Sequence, residues 1–165
     1  MRKVEFRAVA NLEKTILSLA VLLFFCGYSV FYLCRALWVE AVVFFLFELL
    51  FLPVLYLNGS VVTVSREGVN VRFLFYTRVD IQWDQIQEVG VLGDRVFLRG
   101  NSKRHGRLYI YFSTEKRTEQ EQFQLAVKWP PKRMAFTTFS EEKIEIIQSI
   151  WSSQIALYNV GDLEL

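Results

Sequence analysis

Histidine, cysteine and proline are scarce in this 165-residue chain, at one, two and three copies. His105, between Arg104 and Gly106 in a basic loop, reads as a solvated surface side chain, so a nucleophile triad lacks its base. Cys26 and Cys34 share one apolar stretch and would lie about 12 Å apart along a helix, which excludes an intrahelical bridge. Without a Cys-x2-Cys spacing or a second histidine, a zinc site from this chain alone is not expected either. Glycine-rich phosphate loops are missing: GNSKRHG, Gly100 to Gly106, lacks the Walker pattern and follows a strand without leading into a helix. One-sided charge is lacking too, since 19 Lys and Arg against 17 Asp and Glu leave a net +2, far from the field of a nucleic-acid-binding domain. The expectation is a protein that is not an enzyme, holds no cofactor or metal, and does not bind nucleic acid.

Apolar sequence is abundant, and it is concentrated. Thr15 to Leu57 carries only Arg35, Glu40 and Glu48 as formal charges. At roughly 20 apolar residues per span, this stretch suffices for two helices and is too long for one. The chain therefore divides into a basic N-terminal tail (1–14), a two-helix transmembrane hairpin turning at Arg35 (15–57) and a domain of ordinary globular sequence (58–165). The apolar run starts late, is too long for a signal peptide and lacks a small-x-small cleavage site, which points to an uncleaved anchor. Arg2, Lys3, Arg7 and Lys14 precede the first span, whereas the turn offers only Arg35, so the positive-inside rule puts both termini in the cytoplasm of a two-span cell-membrane protein.

Within the helical hairpin, Ala20, Gly27 and Cys34 recur every seven residues as a small-residue stripe on which the second helix, about Trp38 to Leu57, is expected to pack. Glu48 is the odd residue, because a carboxylate at membrane depth costs about 2.5 to 3.5 kcal/mol unless neutralised or paired. It reads as an ion site or a polar contact to a second copy, or else as a protonated side chain bonded within the hairpin.

After Asn58-Gly59, short β-branched and aromatic segments alternate with turns. Strands are expected at Val61–Val64, Val69–Tyr76, Val79–Trp83, Ile86–Leu92, Arg95–Arg99, Arg107–Phe112 and Met134–Phe139, with Gly93-Asp94 as a two-residue β-turn. Gln122 to Lys128 suits a short helix as well as a strand, and Trp129-Pro130-Pro131 ends it. Ile144, Ile147, Trp151, Ile155 and Tyr158 predict one amphipathic helix, capped by Thr138 or Ser140 and running down to Gly161.

The run Val61 to Val91 resembles the bacterial pleckstrin-homology-like (PH-like) domains of small membrane-anchored proteins. Thr63 to Gly68 matches their first β-hairpin, and Ile81-x-Trp83-x-x-Ile86 matches the segment that follows. The resemblance implies an α+β membrane protein with a PH-like antiparallel β-barrel or sandwich of about seven strands, one end plugged by the C-terminal helix. Fold likeness does not carry function, and the function expected is a non-catalytic scaffold that binds a protein partner at the inner membrane face. The alternative is a lipid-interacting or transport-related component using the Glu48 face or a basic loop.

Candidate surfaces follow. Arg95, Arg99, Lys103, Arg104 and Arg107 surround one loop that could meet anionic lipid headgroups, or could be a solvated tip. Trp129, Pro130 and Pro131 could dock a partner, or Trp129 could cover the barrel edge. Partners expected are membrane lipids, one protein and a second copy through the helical hairpin.

Overall fold

The apolar stretch forms two helices. In the computed structural model, which describes residues 4–95 and 105–161, α1 runs over Leu12–Cys34 and α2 over Trp38–Asn58. At 1.5 Å per residue they measure about 35 and 32 Å, more than a bilayer core of about 30 Å. Both are long and apolar enough to cross a membrane. Asn11 caps α1 by accepting a hydrogen bond from the Lys14 amide, and the Asn11 amide donates to the Asn58 carbonyl, so the two outer ends of the hairpin are tied together.

The helices meet on a face other than the small-residue stripe. Ala20, Gly27 and Cys34 are exposed, with open space where a Gly27 Cβ would stand. The contact instead uses Phe25, Ser29 and Tyr32 of α1 against the less exposed positions Ala41, Phe44, Glu48, Phe51 and Leu55 of α2, a three- and four-residue spacing on both sides. Phe25 lies within 6.0 Å of the Phe44, Phe47 and Phe51 rings, and Phe44 stacks on Tyr28 and Tyr32. Ring stacking plus one polar pair outweighs the close approach that small residues allow.

Residues 4–10, 61–95 and 105–161 build the other unit. Its first sheet is antiparallel in the order β1 (Val4–Val9), β2 (Val61–Ser65), β3 (Gly68–Phe73), β4 (Tyr76–Gln82). Strand β1 corrects the reading of 1–14 as a tail. Phe6 pairs with Val64, Ala8 with Val62 and Val9 with Val61, so Phe6, Ala8 and Ala10 extend the inner face of β2. The alternation in VEFRAVA was legible, but its partner strand lies beyond the whole hairpin.

The second sheet has the order β7 (Ala135–Thr138), β6 (His105–Ser113), β5 (Glu88–Arg95), β8 (Ala156–Tyr158). With two separate four-stranded sheets, no closed barrel forms among the described residues, and the strands number eight. The fold is α+β. Gly93-Asp94 is not a turn: β5 runs through it, and Gly93 lets the Asn159 carbonyl approach to where a Cβ would clash. The last helix is also shorter than expected. Helix α4 spans only Glu141–Gln148, capped by Ser140, and buries Ile144 and Ile147. Ile155 and Tyr158 reach the core by a different route, as the chain turns into β8, parallel to β5.

Trp83, in a 3-10 turn after β4, shows why its motif position matters. Its ring lies 6.1 Å from both Phe112 and Trp151, and its Nε1 donates to the Ser65 carbonyl at 2.8 Å. One side chain thus joins the β2–β3 turn to the second sheet and to the segment after α4.

Candidate functional site

The ambiguous segment is a helix, α3 (Glu119–Val127), and a capping box starts it. Thr118 donates from its amide and hydroxyl to Glu121 Oε2 at 2.8 and 2.9 Å, while the Glu121 amide donates back to Thr118 Oγ1. The backbone bond first and the hydroxyl bond second hold the Glu121 carboxyl below the usual carboxylate range.

What anchors α3 is a buried polar cluster. Glu88 accepts the Tyr111 hydroxyl proton at Oε1 and the Arg117 amide proton at Oε2, the latter at 2.9 Å. Gly90 stands opposite Tyr111 in the ladder, and a Cβ there would come within 2.5 Å of the ring. Burial first, then the Glu88 hydrogen bond and the Glu88 charge, push the Tyr111 phenol far above its usual range. This cluster escaped the sequence reading; its one signal is an acid, Glu88, at the head of an apolar strand.

Trp129 is half-buried, 4.8 Å from the Tyr109 ring and 4.9 Å from Phe136. It covers a sheet face, while the peptide bond to Pro130 is cis. The two prolines instead border surface recesses. One of about 470 Å³ is lined by Arg117, Glu121, Gln124, Lys128, Pro131 and Lys132, among others. A second of about 350 Å³ shares Arg117 and Pro131 and adds Glu115 and Arg133. Arg117, Lys128, Lys132 and Arg133 thus line the two recesses that Pro131 borders, against Glu115 and Glu121, and Glu121 is committed to its cap. Arg117 Nε is buried without a hydrogen-bond partner among the described residues. Such a surface favours an anionic group over a neutral one.

Of the five basic residues expected around one loop, Arg95 and Arg107 are described. Arg95 closes β5 in register with His105, and Arg107 is exposed on β6. Arg99, Lys103 and Arg104 lie outside the described residues. Glu48 accepts a hydrogen bond from Ser29 Oγ at 2.9 Å across the helical hairpin, and Glu40 is exposed in the first turn of α2. Among the described residues no His, Cys, Asp and Glu cluster suited to a metal occurs.

No known family model, curated protein or solved structure matches this chain.

Proposed function

We propose that this chain is a non-catalytic scaffold of the PH-like kind, anchored in a bacterial cell membrane by two spans, whose β-rich unit binds an acidic segment of a protein partner at the cytoplasmic face. The observation that carries this reading is the pairing of β1 with β2. Because Val9 and Val61 are register partners in one sheet, both outer ends of the helical hairpin must emerge on the same side if it spans. Arg7 and Lys14 near those ends, against Arg35 alone in the turn, favour the cytoplasm. The surface around Pro131 supplies the binding chemistry, with Arg117, Lys128, Lys132 and Arg133 as the recognising cations.

The test uses the full chain in cells. A cysteine introduced at Glu67 should resist a membrane-impermeant thiol reagent until the cells are opened. Lys128→Glu combined with Lys132→Glu should abolish recovery of a stoichiometric acidic partner without changing expression or topology. Labelling of position 67 in intact cells defeats the orientation, and a partner retained by the reversed charges defeats the surface. The Ser29–Glu48 bond supports a structural use of that acid over the transport alternative, which predicts proton-dependent behaviour lost in Glu48→Gln.

A further inference from the structure

The β3–β4 turn is the most exposed apolar feature of the sheet unit. Leu74, Phe75 and Tyr76 are 79, 103 and 65% exposed, three consecutive large side chains left mostly to solvent among the described residues. Leu74 holds a φ of +52°, in the left-handed region where a tight turn ordinarily takes glycine or asparagine. A bulky apolar side chain in that conformation, in full solvent, is opposed both by backbone preference and by hydration.

Strand register locates this turn. Val61 pairs with Val9 on one side and with Arg72 on the other, and β3 runs one residue beyond Arg72 before turning. The turn is therefore at the end of the first sheet where the chain departs for α1 and comes back from α2. Each connector is short: Ala10-Asn11 leads to Leu12, and Gly59-Ser60 follows Asn58. Three extended residue steps reach at most about 11 Å, so this sheet end is tethered close to the ends of the apolar spans. The opposite end of the same sheet has contrary chemistry. There the β2–β3 turn presents Arg66 and Glu67, with Arg66 paired to Glu5 at 2.9 Å.

Resting on the membrane-anchor reading above, we propose that Leu74, Phe75 and Tyr76 form a wedge that inserts into the interfacial layer of the leaflet from which the helical hairpin emerges, so that the sheet unit stands on the bilayer at three points. Leu74 and Phe75 supply apolar depth. Tyr76 is suited to the headgroup boundary, where an aromatic ring can be buried while its hydroxyl stays wet. Exposed Arg72 beside the turn can meet lipid phosphate. The wedge restrains the orientation of the unit, and with it the direction in which the surface around Pro131 faces.

The experiment places an environment-sensitive nitrobenzoxadiazole label at Phe75→Cys in the full chain, in a Cys26→Ser, Cys34→Ser background. The protein is reconstituted in phosphatidylcholine vesicles containing phosphatidylglycerol. Insertion gives a blue-shifted emission, quenched more by a nitroxide about 5 to 10 Å below the headgroups than by one at the bilayer centre. A label at Glu67→Cys stays water-exposed and unquenched, and a label at Leu74→Cys repeats the result of position 75. A label at Phe47→Cys reads the anchor separately. Quenching at 47 without quenching at 74 or 75 overturns the wedge and leaves the anchor standing; no quenching at 47 overturns the anchor and the wedge with it. A blue shift at 75 that grows with protein density and ignores lipid nitroxide assigns the turn to a second copy, and also overturns the proposal.

Discussion

Deleting residues 1–60 should damage the sheet unit, whereas excising only the helical hairpin should not. Val9 and Val61 are antiparallel register partners, so their Cα atoms lie about 5 Å apart and a short loop can join them. Retaining Ala10 and Ser60 around an Asn-Gly pair makes a four-residue connection that keeps β1 in place and keeps the Ala10 carbonyl as acceptor for the Thr138 amide at 3.1 Å. Phe6 calibrates what β1 contributes. Its ring is half-buried against the core, so Phe6→Ala in the excised protein should cost about 2 kcal/mol, roughly half the value for a fully buried ring. With a urea slope of about 1 to 3 kcal/mol per molar, the unfolding midpoint should fall by about 1 M. The 1–60 deletion should fall further or aggregate, because it uncovers Val62 and Val64 and leaves β2 as an unprotected edge. Fluorescence of Trp83, Trp129 and Trp151 reports on this unit alone, since the remaining tryptophan, Trp38, leaves with the hairpin. Equal midpoints for the excised protein and the 1–60 deletion would refute the reasoning and return 1–14 to the status of a tail.

Two further predictions concern the Glu88 cluster. Gly90→Ala should displace the Tyr111 ring and strand the Glu88 carboxylate, costing about 2 to 5 kcal/mol, and should combine with Tyr111→Phe less than additively; a loss under about 0.5 kcal/mol would show the ring is not confined. The folded Tyr111 phenol keeps its proton where the unfolded one releases it, so its stabilisation is complete below about pH 10 and declines as pH rises beyond that. Tyr111→Phe should flatten that alkaline decline in midpoint, and an unchanged slope would contradict the assignment. Lys143, whose ammonium burial pulls below the usual lysine range, contributes with the opposite sign, so the comparison is between variants and not of absolute slopes.

Much of the architecture was legible because its signals are local. A helix satisfies its own backbone, so Thr15 to Leu57 announces two apolar helices by length and hydropathy alone. The Ser65–Gly68 turn, the strand before it and the Ser140 cap were readable for the same reason: each is decided within about four residues. The strand expected over Val69–Tyr76 instead ends at Phe73, turns at Leu74 and Phe75, and resumes as β4 at Tyr76, because pairing with β3 starts β4 three residues before the expected Val79. Where a segment's fate depended on a distant partner, the reading diverged. Gly93-Asp94 has turn composition, but Asn159 arrives beside Gly93 and the strand continues. Ile155 and Tyr158 keep a helical spacing from Ile147 and Trp151, yet the edge of β5 takes that segment as a strand.

By itself, then, the sequence determined that two apolar helices form, that an α+β unit follows, and which residues are apolar enough to fill its core. The tertiary structure alone decided that β1 closes the first sheet across the hairpin, and that Trp129 covers a sheet face while basic side chains line the recesses beside Pro131. It also decided which face of α1 meets α2, and that Leu74, Phe75 and Tyr76 stand at the sheet end joined to the helices. The physical reason is the range of the interactions: capping and hydropathy act between near neighbours and are written in the local pattern. Strand pairing, ring stacking and register join residues far apart in the chain, and their outcome depends on which partners the rest of the fold leaves free.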